Sequence, residues 1–397
     1  MDKVCSKINN YDYLPKIAIV AFPWPSFVPY KFLSDILIIL QPVTKKIIVI
    51  SGNTSRINTE NKVIFKDLHI HLDHFTNEIP KTLHNFIWIL KSIIFQIKGS
   101  IELINSRKEF DVVIFYVAYP YFLLILITAK ILRKRTLEII TRGYPTSFPE
   151  NLFNLQNIIL FELLDGISPE SPQLIKILNL NKYSKKLLPD GARFIDILKF
   201  VIYTNIKKRD NIIGYVGRLE KEKGIEQFVE AIPLIFKEIK DVKFYIVGSG
   251  NKLPWIRKKC LEYQTELGVE ISIFGWVEEN ILPHILNEIK LFILPSSSDG
   301  LPTRVLESMS CGTPVLATNV GGILDIIEDN VTGFLMKDNS PSCIAFHSIK
   351  ALKYPEIEKI SENGRNVIMR KYTYEACIKR YEKIIQFTKR NNIYCRF

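Results

Sequence analysis

Residues 296–315 read SSSDGLPTRVLESMSCGTPV and set two carboxylates, Asp299 and Glu307, eight positions apart around Gly300, Leu301 and Pro302. Pro302 suits the first turn of a helix, where its missing N–H costs nothing, and Gly312 suits the stop. Between them lies a short predicted helix with Val305, Leu306 and Met309 inward. The amides from Leu301 to Thr303 head that helix, and first-turn amides have no acceptors within it. Such an end attracts anions, phosphate above all. Two carboxylates beside an anion site repel phosphate unless they hold something else, such as sugar hydroxyls. The alternative is an ordinary capped surface helix.

A second group lies upstream. YVGRLEKEKG (215–224) places Gly217 and Arg218 directly after a strand-like run and Lys223 at the start of a helix. Arginine as a planar fork and lysine as a point charge can meet one diphosphate. Gly248 and Gly250 in VGSGN, Gly275 in FGWV, and Gly321 and Gly322 in NVGG close or open further elements with residues that admit close approach. A rival constellation is HIHLDH (69–74), whose His69, His71, Asp73 and His74 are zinc-ligand types for a metal-dependent hydrolase. FTNEIP follows it instead of the Gly-Gly usual for that pattern, and a solvated strand end with its loop explains the residues as well.

These residues need a scaffold, and the chain alternates strand-like and helix-like runs throughout. KIAIVAF, KKIIVIS, DVVIFYV and TLEIITR are apolar or β-branched strands interleaved with helices at 31–40, 84–104 and 121–135. NIIGYVG, VKFYIVGSG, EISIFG, LFILPS, TPVLAT and TGFLM continue the pattern in the second half, with GILDIIE read as a helix. Alternation of this kind predicts parallel sheets covered on both faces. The expected organisation is an N-terminal domain over 1–195, a polar linker over 196–210, a second domain over 211–372, and a closing helix over 373–397 packing back on the first. The uncharged run 112–129 is long enough to mimic a membrane span. It breaks at AYP, however, and reads better as a strand, a turn and a helix. The helix at 84–104 carries Phe86, Ile87, Leu90, Ile93, Ile94, Ile97 and Ile101 at helical spacing, with Trp88, Lys91 and Lys98 beside them. It is either a core helix or an interfacial surface for an anionic membrane.

Composition narrows the partners. Among 397 residues, 53 Lys+Arg against 41 Asp+Glu leave a net charge of +12, which favours anionic partners. The basic residues are scattered and no nucleic-acid-binding spacing appears, so nucleic acid is not expected. Six cysteines without a CxxC pair, and an N-terminus without an apolar leader, point to a cytoplasmic protein with reduced thiols. Neither composition nor spacing reads out an oligomeric state.

From 211 to 340 the chain resembles the C-terminal domain of family 4 glycosyltransferases, retaining enzymes of the GT-B fold. GYVGRLEKEKGIEQFVEAI, FYIVGSG, IFGWV, LFILPSSSDGLPTRVLESMSCGTPVLATNVGGILDII and DNVTGFLM carry the likeness. LLPDGARF resembles the family's Asn-Gly-Val-Asp segment, with Asp190 for Asn and Arg193 for Asp. The family's Gly-Gly turn after the first strand is replaced by AFPWPSFVPY.

The resemblance implies two doubly wound Rossmann-like domains facing a cleft, and transfer of a sugar from a nucleotide-diphospho-sugar to a glycan or lipid-linked acceptor. Asp299 then meets hydroxyls of the donor sugar and Glu307 the ribose. Arg218, Lys223 and the helix start stabilise the leaving diphosphate, so no metal and no further cofactor is needed. The absence of an Asp-x-Asp motif agrees. Asp325 stands for an acid often found after the Gly-Gly turn. A binding protein that keeps the fold without turnover is the competing expectation, suggested by the altered first loop and the short Asp299.

Overall fold

The computed structural model describes residues 14–22, 27–52, 62–70, 81–116, 122–141, 158–191, 193–297 and 299–387, with backbone alone at 27–32 and 81–86. The chain forms two compact units: Met1–Glu170 with Leu174–Arg193 and Cys377–Phe397, and Ser171–Gln173 with Phe194–Ala376.

In the first unit, β1 (Lys16–Ala21), β2 (Lys46–Ser51), β3 (Val63–Asp67), β4 (Val112–Tyr116), β5 (Arg135–Ile140) and β6 (Gly166–Pro169) form one sheet in the order β3-β2-β1-β4-β5-β6. Every pairing is parallel. Continuous apolar runs such as KIAIVA and VVIFY are what strands covered on both faces require. The helices α1 (Phe27–Leu40), α2 (Lys81–Asn105) and α3 (Leu123–Ile131) connect them. The run that mimics a membrane span thus contains β4 and α3, and the residues 117–121 between them lie outside the described residues. Among the described residues no helix is long and apolar enough to cross a membrane. β3 escapes sequence reading because VIFKD is only half-buried at the sheet edge.

Two ion pairs involve the LLPDGARF segment in this unit. Arg193, which stands where the family has an acid, donates from Nε and Nη2 to both oxygens of Glu170 at 3.1 and 2.9 Å. Asp190 accepts from Arg380 at 2.8 Å. The two departures in LLPDGARF are therefore matched by partners of opposite charge.

Glu138 of β5 lies between Phe115 and Ile167 on the flanking strands, 3% exposed, and its Oε2 has no hydrogen-bond partner among the described residues. Burial lifts its carboxyl from 4.5 to about 8, so it is neutral at pH 7. The unfolded chain ionises from about pH 4.5 upward and the folded chain only near 8. Stability is therefore highest below 4.5 and falls as pH rises towards 8. Between pH 6 and 8 the expected loss is roughly 2 kcal/mol. Urea unfolding at both pH values should show it in the wild type and not in Glu138→Gln; equal slopes would refute it.

The second unit repeats the topology. β7 (Ile212–Val216), β8 (Lys243–Val247), β9 (Glu270–Gly275), β10 (Leu291–Leu294), β11 (Val315–Thr318) and β12 (Phe334–Met336) lie in the order β12-β11-β10-β7-β8-β9. α4 (Pro172–Ile177) belongs to both units' residue ranges, and then come α5 (Ile225–Glu238), α6 (Leu253–Leu267), α7 (Leu282–Glu288), α8 (Thr303–Ser310), α9 (Pro341–Leu352) and α10 (Ile357–Lys371) of the second unit and α11 (Tyr374–Phe387), whose residues from Cys377 onward fall in the first. The amphipathic α5 buries Phe228, Val229, Ile232 and Ile235 in the core of this unit. The segment read as GILDIIE is not an α-helix but a 3-10 turn, Gly321–Asp325. Thr332 stops it, its hydroxyl donating to Ile326 O while accepting from Glu328 N. Residues 196–210, expected as a linker, pack on the second unit: Ser310 Oγ donates to Phe200 O, and Arg209 is 5% exposed.

Candidate functional site

In the second sheet the strand order reverses between β7 and β10, and ligands of open α/β sheets bind outside the carboxyl ends at such a switch point. The loop after β7 carries Gly217, Arg218 and Lys223, and the loop after β10 carries Asp299 to Pro302. Ser297 N donates to Glu222 O at 3.0 Å, and the hydroxyls of Ser296 and Ser297 reach the same carbonyl. The two loops are thereby one assembly, and it brings Lys223 Nζ to 2.6 Å from Asp299 Oδ1. Both side chains are mostly covered, at 17% and 13% exposure. Asp299 Oδ2 is buried and has no hydrogen-bond partner among the described residues. A buried carboxylate oxygen without a donor is costly unless a ligand supplies one.

Glu307 lies two turns deeper in the chain on α8 and is 2% exposed. Arg304 Nη1 donates to its Oε2. Arg218 extends outward, 60% exposed, with Nη2 at 3.1 Å from Glu222 Oε1. Its carbonyl is held by the hydroxyl of Tyr215, fully buried in β7, at 2.6 Å. Burial pushes that phenol well above its usual range, so it stays a donor.

The site glycines do more than admit a ligand. A Cβ on Gly248 would sit 1.8 Å from Gly217 O, and one on Gly321 would sit 1.8 Å from Asp299 O. Both have positive φ, +142° and +51°. Gly250 and Gly322 make similar approaches to Leu219 O and Gly300 O. These residues let neighbouring loops nest against each other, so their role is first to shape the site. Gly275, with φ +66°, faces open space instead.

Pro302 takes the N-cap position of α8 rather than its first turn, followed by Thr303. Gly300 O accepts from Gly322 N at 3.1 Å, tying this helix start to the turn after β11. All of Gly217, Arg218, Lys223, Gly248, Gly250, Gly275, Asp299, Gly300, Leu301, Pro302, Thr303, Gly321 and Gly322 lie at or just beyond carboxyl ends of strands in one unit, with Glu307 within the helix that starts there. Arg304 and Tyr215 were not singled out in the sequence. The signal for Arg304 was a cation in a helix first turn, where acids are favoured. Of the rival constellation, His71, Asp73 and His74 lie outside the described residues; His69 is described, with φ 53° and its ring 3.6 Å from Asp67.

Two parallel doubly wound units with a switch-point site in the second define the fold class as GT-B. The chain superposes on the crystal structure of Anabaena Alr3699/HepE in complex with UDP with a TM-score of 0.73, at 14% identity over 94% of this chain and 99% of that one. With sucrose-phosphate synthase from Thermosynechococcus elongatus the TM-score is 0.69, at 16% identity over 94% and 98%. Residues 199–367, which contain the whole site, match the family described as glycosyl transferases group 1. A curated relative is the Escherichia coli UDP-Gal:alpha-D-GlcNAc-diphosphoundecaprenol alpha-1,3-galactosyltransferase, 27% identical over 53% of this chain and 55% of that enzyme. The chain spans about half the length of the curated relatives it matches.

Proposed function

We propose that the chain transfers a sugar from a nucleoside-diphosphate sugar to a glycan or lipid-linked acceptor, with retention of anomeric configuration and without a metal. The observation that carries this reading is the buried, donor-free Oδ2 of Asp299 beside Lys223 at the β7/β10 switch point of a group 1 domain. Asp299 takes a hydroxyl of the donor sugar and Glu307 the ribose. Arg218, Lys223 and the start of α8 at Gly300–Thr303 face the diphosphate, whose charge grows as the glycosidic bond to its oxygen breaks. The acceptor oxygen bonds the anomeric carbon on the face the phosphate leaves, and its proton passes to the departing phosphate oxygen. No protein nucleophile is required. The UDP bound in the Anabaena structure makes UDP and UDP-sugars the first probes.

A thermal-shift screen of nucleoside diphosphates and their sugars tests the reading. Stabilisation by one base family, lost in Glu307→Ala, is expected; no shift with any nucleotide would favour a fold without turnover.

We further propose that the first unit works on the cytoplasmic face of an anionic membrane. Trp88, Ser92, Phe95 and Leu103 of α2 turn inward, while Ile89, Leu90, Ile93, Ile94, Ile97, Ile101 and Ile104 are each 38–52% exposed. Leu90, Ile93, Ile94, Ile97 and Ile101 of the stripe thus face outward, while Phe95 and Leu103 of the same helix lie in the core with Trp88 packed against them. Lys98 lies beside it, held by Leu68 O at 2.9 Å, and the chain carries +12. An outward apolar face with basic neighbours suits an interface. Flotation with phosphatidylglycerol vesicles should capture the wild type and lose most of the Ile93→Ser/Ile97→Ser variant; equal recovery would remove the proposal.

A further inference from the structure

Arg304 occupies the first turn of α8, where a carboxylate would complement the helix dipole and a cation opposes it. Its guanidinium donates to Glu307 one turn further on. Cation before acid is the less favourable order for such a helical pair. The acid is buried, at 3% side-chain exposure, whereas the Arg304 side chain keeps 37% of its surface in solvent. The pair is therefore a buried carboxylate covered by a cation with one open side, at the end of the helix that faces the switch point. A local arrangement that runs against helix preference is accounted for by function more readily than by stability.

We infer that Arg304 is a positioning residue of the donor site: it holds the Glu307 carboxylate in the orientation that accepts ribose hydroxyls, and so sets how strongly ribonucleotides are preferred over deoxynucleotides. The inference rests on the assignment of Glu307 to the ribose made above. A site built to hydrogen-bond a hydroxyl rejects the analogue lacking it only while its acceptor is fixed and desolvated. Arg304 fixes it through a charge-assisted bond, whose planar fork restrains direction more than an ammonium would. Without Arg304 the carboxylate loses that restraint, and the preference for the hydroxyl weakens.

Calorimetric titration of the full chain with UDP, 2′-deoxy-UDP and 3′-deoxy-UDP tests this, using wild type, Arg304→Met, Arg304→Lys and Glu307→Gln, with unfolding midpoints as a control for folding. The wild type is expected to favour UDP over the deoxy forms by about tenfold or more. Arg304→Met should weaken UDP by about tenfold and the deoxy forms by less than about twofold, collapsing the preference, and Arg304→Lys should restore part of it. A preference kept in Arg304→Met but lost in Glu307→Gln overturns the inference and leaves Glu307 at the ribose. A preference kept in both overturns the ribose assignment and the inference with it. A uniform loss for all three nucleotides, matched by a lower midpoint, assigns Arg304 to folding alone and overturns it too.

Discussion

Replacing Arg218 with alanine is expected to lower kcat/KM for the proposed sugar transfer by about 30- to 1,000-fold, equivalent to roughly 2–4 kcal/mol of transition-state stabilisation, the scale of losing one preorganised donor. The fold should be untouched. Its side chain is 60% exposed and meets Glu222, itself 51% exposed, at 3.1 Å, and an ion pair of that kind contributes little to stability. Its position is set instead by the backbone, because the Tyr215 hydroxyl holds the Arg218 carbonyl and the Gly217 amide donates to Val247 O at 3.0 Å. Lys223 makes a less clean probe. Its removal strands Asp299 Oδ1 at 13% exposure, so stability and chemistry would change together. Steady-state transfer assays beside thermal unfolding decide the matter. Activity within twofold of the wild type would take Arg218 away from the diphosphate, and a matching fall in midpoint would assign the loss to folding.

The largest stability effect is expected at Arg209. Its guanidinium donates to the carbonyls of Thr204, Leu286, Ile289 and Cys311, to the Thr313 hydroxyl and to Asn287 Oδ1, at 2.7 to 3.3 Å. Leu286 and Ile289 end α7, and Cys311 follows α8, so the cation meets the negative ends of two helices. Burial draws its pKa down to about 10, which leaves it charged at neutral pH. Arg209→Met removes every donor and leaves buried carbonyls without partners. The expected cost is about 3–5 kcal/mol in the second unit, read by urea unfolding. Lysine should recover little, because a point charge cannot serve acceptors spread around a planar fork. A Met variant as stable as the wild type would show that water takes over these carbonyls. Since α8 ends at this cation and begins at the candidate site, the same residue fixes the helix that presents Glu307.

Much of the scaffold was legible from residue type alone. KIAIVA, KIIVIS and VVIFY could only be covered strands, because β-branched runs without charge have no solvated face. The elements that escaped have weak local signals. β3 has one half-exposed pattern of five residues, and the Gly321–Asp325 turn starts with two glycines whose backbone is set by contact with Asp299 and Gly300. The outward apolar stripe of α2 was legible as a stripe but not in its direction. Both faces of that helix carry apolar residues, so periodicity cannot tell which one the sheet takes. The charge exchange in LLPDGARF was visible as a departure, and its partner Glu170, at 2.9 Å from Arg193, was not.

By itself the sequence determined the alternation of strands and helices, the residue types of an anion site, and the likeness to group 1 glycosyl transferases over 211–340. Those are local properties: covered strands, helix starts and glycine turns are each decided within a few neighbours of chain. Only the tertiary structure decided that Lys223 lies 2.6 Å from Asp299, 76 positions apart, and that Asp299 Oδ2 is left buried without a donor among the described residues. It also decided that Arg209, in a stretch read as a linker, is the buried cation beneath α8. Such pairings depend on which loops the strand order brings together at the switch point, and the partners of a charge in a folded chain are set by that topology rather than by its neighbours in sequence.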